Sequence, residues 1–92
     1  MIRAVFTRDR LTLQGHADYA PRGQDIVCAA VSALAYALIG ALEEKGQVRE
    51  LTVRPGYVTV AAKETCSSEF AVIRCGLAQL AGRYPAHIRI EG

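Results

Sequence analysis

Apolar and polar residues alternate from Ile2 to Thr7 and again from Leu11 to Gly15, on either side of Arg8-Asp9-Arg10. Alternation with a period of two puts every second side chain on one face, so these segments read as two strands joined by a short turn. From His16 to Gln24 the residues become small and polar, with Pro21 and Gly23 among them, and the segment reads as a loop. The pattern then changes. Ile26 to Leu42 is an Ala- and Leu-rich run, preceded by Asp25 and followed by Glu43-Glu44-Lys45-Gly46. Asp25 suits a helix N-cap and Gly46 a C-terminal stop, so the run predicts a long helix. Val48 to Val53 and Tyr57 to Ala62 then flank Arg54-Pro55-Gly56, whose Pro-Gly step predicts a second hairpin. A second helix is expected from about Cys66, because Phe70, Ile73, Leu77, Leu80, Ala81 and Tyr84 recur at steps of three and four until Pro85 stops them. His87 to Glu91 alternates once more, with Ile88 and Ile90 on one face and His87, Arg89 and Glu91 on a face turned to solvent.

The order ββαββαβ within ninety-two residues predicts an α+β fold. It forms one domain, 1–92, with two helices packed on one face of a mixed or antiparallel sheet. The first helix is apolar on nearly every side and therefore needs cover on nearly every side. Its run falls short of the roughly 20 residues of a membrane span and contains Ser32 and Gly40, so a membrane is not the expected cover. A domain of this size buries only about 60 to 65% of the surface its unfolded chain exposes. A homodimer is expected, with part of the Ala33 to Leu42 surface or an adjoining sheet edge covered by the second subunit.

Composition narrows the function classes. Apolar residues at 51% and charged residues at 22% exclude a disordered chain. The net charge of +2 is spread from Arg3 to Arg89, and there is no Trp, which argues against direct nucleic-acid binding. The N-terminus lacks the pattern of a signal peptide, and Cys28, Cys66 and Cys75 form no C-x-x-C pair. Free thiols in a reducing, cytoplasmic setting are expected. His and Cys lack metal-ligand spacing, so neither a metal nor another cofactor is expected.

The candidate chemistry lies between Gly15 and Ser32. With Asp25 as N-cap, Cys28 takes the third helical position, where unpaired N–H groups and the helix dipole favour an anion. His16 stands at a strand end, and the eight residues Ala17 to Gln24 let the chain fold back so that His16 meets Cys28. Such a pair would serve as nucleophile and general base, with N–H groups of the helix start holding the oxyanion of an acyl-transfer intermediate. The residues alone favour a passive reading, since a lone Cys in an Ala-rich helix is usually a small buried hydrophobe and a lone His beside a loop is usually a surface or capping residue. Cys66 and Cys75 have no neighbouring base and read as structural, and His87 as solvated. The loop from Ala17 to Gln24 must border any substrate that reaches both His16 and Cys28, which puts Ala17, Asp18, Tyr19 and Gly23 against it. Its small residues permit motion and Pro21 stiffens one point, so it reads either as a mobile lid or as a fixed turn.

The string Gly15-His16-Ala17-Asp18, followed by Gly23-Gln24-Asp25-Ile26-Val27-Cys28-Ala29-Ala30-Val31-Ser32, resembles the signature of the bacterial ribosomal-processing cysteine protease family, Prp, including its His-to-Cys spacing. Chain length and element order fit as well, while the second half of the chain carries no motif of its own. The resemblance implies a small homodimeric protease that removes an N-terminal extension from large-subunit ribosomal protein twenty-seven, cutting after a bulky aromatic residue in an apolar stretch. It implies Cys28 as nucleophile and His16 as base, with Asp25, Ser32 and the intervening Ala29 in support. The alternatives are a non-catalytic ribosome-associated binding protein and a purely structural dimeric module, both of which require an inert Cys28.

Overall fold

The computed structural model describes residues 1–92 and has the seven elements in the expected order. They are β1 (Ile2–Thr7), β2 (Arg10–Gln14), α1 (Ile26–Glu44), β3 (Val48–Arg54), β4 (Tyr57–Ala62), α2 (Ser67–Arg83) and β5 (Ile88–Glu91). The sheet runs β3-β4-β2-β1-β5. It is mixed: β1 pairs antiparallel with β2 and parallel with β5, while β4 pairs antiparallel with β2 and with β3.

One sheet face carries the core. Ile2, Ala4 and Phe6 of β1, Leu11 and Leu13 of β2, Val60 and Ala62 of β4, and Ile88 of β5 are buried there, as the period-two pattern requires. Against them α1 lays Val27, Val31, Ala35, Leu38, Ile39 and Leu42, and α2 lays Ile73 and Leu77. The fully buried Leu38, Leu42 and Leu77 contribute roughly 1.5 to 3 kcal/mol each. The helices approach closely at Gly76, where an added Cβ would sit 3.1 Å from the methyl groups of Leu34. By length and composition α1 would also pass for a membrane span, but here its inward stripe forms the core of the domain. The opposite sheet face is polar, with Arg3 paired to Glu91 at 2.7 Å and Arg10 to Glu50 at 2.6 Å.

The chain does not cover α1 on every side. Ala29, Ser32, Ala33, Tyr36 and Ala37 stay exposed along its outer face. On β3, Leu51 and Val53 pair with Val60 and Val58 and so point to the helix side, yet neither is buried. Helix α1 ends where the sequence places its stop. Gly46 takes φ +66°, and the N–H groups of Gly46 and Gln47 bond back to the carbonyls of Glu43 and Leu42.

Expected and observed boundaries differ at one informative place. His87 is not a solvated strand residue, because the strand begins only at Ile88. Its backbone closes a turn onto the Tyr84 carbonyl, and this turn carries the ring inward, half-buried, with Nδ1 2.8 Å from the carbonyl oxygen of Ala17.

Candidate active site

Asp25 organises the loop and the helix start together. Its Oδ1 accepts the N–H groups of Val27 at 3.0 Å and Cys28 at 2.9 Å, which is N-cap geometry. Its Oδ2 reaches back to accept those of Tyr19 at 2.9 Å and Ala20 at 3.3 Å. These donors, the Cys28 N–H foremost, hold the Asp25 carboxyl below the usual carboxylate range against an opposing effect of partial desolvation. A carboxylate with a depressed folded-state value stabilises the fold above its unfolded pKa and loses that contribution as pH falls through the folded value. Asp25 therefore contributes to an acid-side loss of stability that sets in below about pH 4. Asp25→Ala is expected to lower Tm by on the order of 5 °C and to flatten that acid limb, measured by thermal melts from pH 7 to pH 2. An unchanged Tm with lost activity would assign Asp25 to the chemistry instead of the cap.

This arrangement corrects one expectation. The N–H groups of Val27 and Cys28 are taken up by the Asp25 carboxylate, and that of Ala29 by the Asp25 carbonyl at 3.1 Å. They are not free to receive an oxyanion, because the residue that starts the helix satisfies them itself.

Cys28 is half-buried at the third position of α1, and its Sγ receives the N–H of Ala17 at 3.4 Å. Ala17 is 1% exposed and belongs to the core. His16, directly before it, is exposed, and its ring lies over Gly56 in the β3–β4 turn. No hydrogen bond joins His16 to Cys28, but both border one cleft of about 960 Å³. That volume is enough for several side chains of a peptide.

Gly56 makes room for the imidazole. It has φ +72°, and an added Cβ would stand 2.9 Å from His16 Nε2. Gly56→Ala is expected to cost about 1 kcal/mol in backbone strain and to push the ring aside. A disproportionate fall in turnover, about tenfold or more, is the expected reading from kcat beside a thermal melt. Unchanged turnover would show that the ring does not need this seat.

Among the other expected site residues, Asp18, Gly23, Asp25, Ala29 and Ser32 line the cleft. Ser32 is exposed one helical turn beyond Cys28 and makes no hydrogen bond to it. Ala17 and Tyr19 do not line the cleft, contrary to expectation. Ala17 is packed into the core, and Tyr19 turns its ring edge-on to Tyr84 and His87, with centroids 5.3 Å away in each case. The backbone of the loop is thus pinned at Ala17, Tyr19 and Ala20, although the Tyr19 side chain, like Arg22 and Gly23, stays exposed.

Sequence reasoning missed part of the cleft. Tyr36 of α1 and Val53 and Val58 of the second hairpin also line it, and Arg54 stacks over Tyr57 at 4.4 Å. The only advance signal was the Pro55-Gly56 turn that delivers these residues. Of the remaining thiols, Cys66 is buried in the core and Cys75 is exposed on α2; all three cysteines are free. No group of three or more His, Cys, Asp or Glu residues is placed to hold a metal ion.

Comparison with known proteins agrees with this geometry. The chain is 33% identical over 94 aligned positions to the ribosomal processing cysteine protease Prp of Mycoplasma pneumoniae, covering 99% of this chain and 94% of that protein. A crystal structure of the ribosomal processing protease Prp from Staphylococcus aureus, in complex with a covalently linked product peptide, superposes with a TM-score of 0.88 at 21% identity, covering 99% of this chain and 98% of the other. A Streptococcus mutans protein of known crystal structure gives a TM-score of 0.79 at 30% identity, covering 99% and 92%. Since the family model for cysteine protease Prp also matches residues 1–89, the chain belongs to the Prp family of ribosomal processing cysteine proteases.

Proposed function

We propose that Cys28 and His16 form the nucleophile and general base of a cysteine endopeptidase that trims the N-terminal extension of large-subunit ribosomal protein twenty-seven in the cytoplasm. The observation that carries this reading is the placement of Cys28 at a helix start, on the wall of a cleft that His16 also borders, with an N–H aimed at its sulfur. In the reaction His16 takes the thiol proton while Sγ attacks the scissile carbonyl carbon. The C–N bond then breaks, the leaving amine takes the proton from His16, and a thioester remains. Water, deprotonated by His16, hydrolyses the thioester and returns the sulfur. Catalytic hydrogen bonds are often long before substrate binds, and His16, seated on Gly56, borders the same cleft as the sulfur. The apolar lining of the cleft at Tyr36, Val53 and Val58 suits an apolar, extended substrate.

The direct test is incubation with a peptide spanning the N-terminus of that ribosomal protein, followed by mass analysis. A single cut after a bulky aromatic residue is expected; an intact peptide beside a folded enzyme would overturn the assignment. Apolar residues outside the cleft that the chain leaves exposed, Ala33 and Ala37 on α1 and Leu51 on β3, support a homodimer. Sedimentation at micromolar concentration is expected to give twice the chain mass of 9.9 kDa, and a monomer would overturn the dimer.

A further inference from the structure

The inward turn of His87 lies outside the pair assigned above, yet it touches the same loop twice. Its Nδ1 is 2.8 Å from the Ala17 carbonyl oxygen, and its ring meets the edge of Tyr19. A carbonyl oxygen only accepts, so Nδ1 carries the proton of this bond. Ala17 in turn sends its own N–H to Cys28 Sγ at 3.4 Å. That N–H belongs to the peptide unit that also carries the His16 Cα. Holding Ala17 therefore aims one donor at the sulfur and sets the root of the imidazole at the same time.

Several contacts fix the segment. Asp18, the next residue, takes φ +56°, in the left-handed region that Asp visits more readily than most residues, with its carboxylate 3.7 Å from the N-terminal ammonium. Asp25 restrains the segment from the helix side through Tyr19 and Ala20. On the other side Ala17 is packed into the core, and His87 holds its carbonyl. The register of β5 against β1, Ile2 opposite Ile88, brings His87 there.

We infer that His87 is a positioning residue: its Nδ1–H fixes the Ala17 carbonyl so that the Ala17 N–H is directed at Cys28 Sγ and His16 is presented to the cleft. It is not a second base, since its ring does not line the cleft. The inference rests on the reading of Cys28 as nucleophile, and it adds the residue that sets that nucleophile's surroundings.

The test compares three substitutions by kcat, KM, thermal melting and the rate of Cys28 alkylation by iodoacetamide at neutral pH. His87→Phe keeps an aromatic edge for Tyr19 but has no donor. His87→Asn carries an N–H at the position of Nδ1. His87→Ala removes both contacts. For Phe and Ala the expected result is a fall in kcat on the order of 10- to 100-fold, as a small misplacement of catalytic groups produces, with KM nearly constant and Cys28 alkylated severalfold more slowly. His87→Asn should recover most of both. Wild-type kcat and alkylation in a folded His87→Phe protein would overturn the inference, as would failure of Asn to recover more than Phe at equal Tm. If His87→Ala does not fold, the Phe and Asn pair decides alone. Failure of the underlying reading looks different: the wild-type protein would cleave no peptide, and Cys28 would be alkylated no faster than the exposed Cys75.

Discussion

Cys28→Ala is expected to lower peptide cleavage by at least about 10³-fold, because effects of this size follow removal of a covalent nucleophile that its neighbours cannot replace. The protein should remain folded. Cys28 is half-buried at the border of the cleft, so deleting one sulfur leaves a gap that opens to solvent and no closed cavity. The Ala17 N–H loses its acceptor, but water in the cleft can take the place of sulfur. A fall in Tm of no more than about 5 °C is expected. The same thiol should be the first of the three to react with iodoacetamide, followed by the exposed Cys75 and last by the buried Cys66. Turnover retained in a folded Cys28→Ala protein would remove Cys28 from the chemistry. Equal labelling of Cys28 and Cys75 would mean that the helix start and the Ala17 N–H confer no reactivity.

Features set by neighbours in sequence were legible before the fold was known. Strand and helix periods placed all seven elements, since each depends on which side chains share a face within one segment. Asp25 was readable as a cap because its partners, Val27 and Cys28, lie two and three residues away. What escaped notice depends on sheet order. Gln14 pairs with Tyr57, so the end of β2 and the β3–β4 turn lie side by side, and the Gly15 N–H bonds to the Gly56 carbonyl at 2.9 Å. That non-local register seats the His16 ring on Gly56 and brings Val53 and Val58 into the cleft. His87 was misplaced for the same reason. Alternation assigned it to an open sheet face, whereas the turn before β5 and the parallel register with β1 direct it at Ala17. The loop was read as bordering the substrate throughout, but the apolar cover that Ala17 finds in the core and the aromatic cover that Tyr19 finds on Tyr84 and His87 turn these two away.

His16→Ala is expected to reduce kcat by about 10²- to 10⁴-fold, the range for loss of a general base, while leaving KM within a few-fold. Two features separate these quantities. The ring rests on Gly56, and the apolar lining at Tyr36, Val53 and Val58 that suits a peptide is left in place by this substitution. Removing an exposed imidazole also exposes no core, so Tm should hardly move. The decisive measurement is the double variant. If His16 works only by activating the sulfur and protonating the leaving amine, then Cys28→Ala/His16→Ala should cleave no more slowly than Cys28→Ala alone, since groups that act as one unit are not additive. A further loss in the double variant would give His16 a role independent of the thiol. A His16→Ala enzyme within threefold of wild type would leave Cys28 without its base. The base would then have to come from elsewhere on the cleft wall, which the His87 ring does not line.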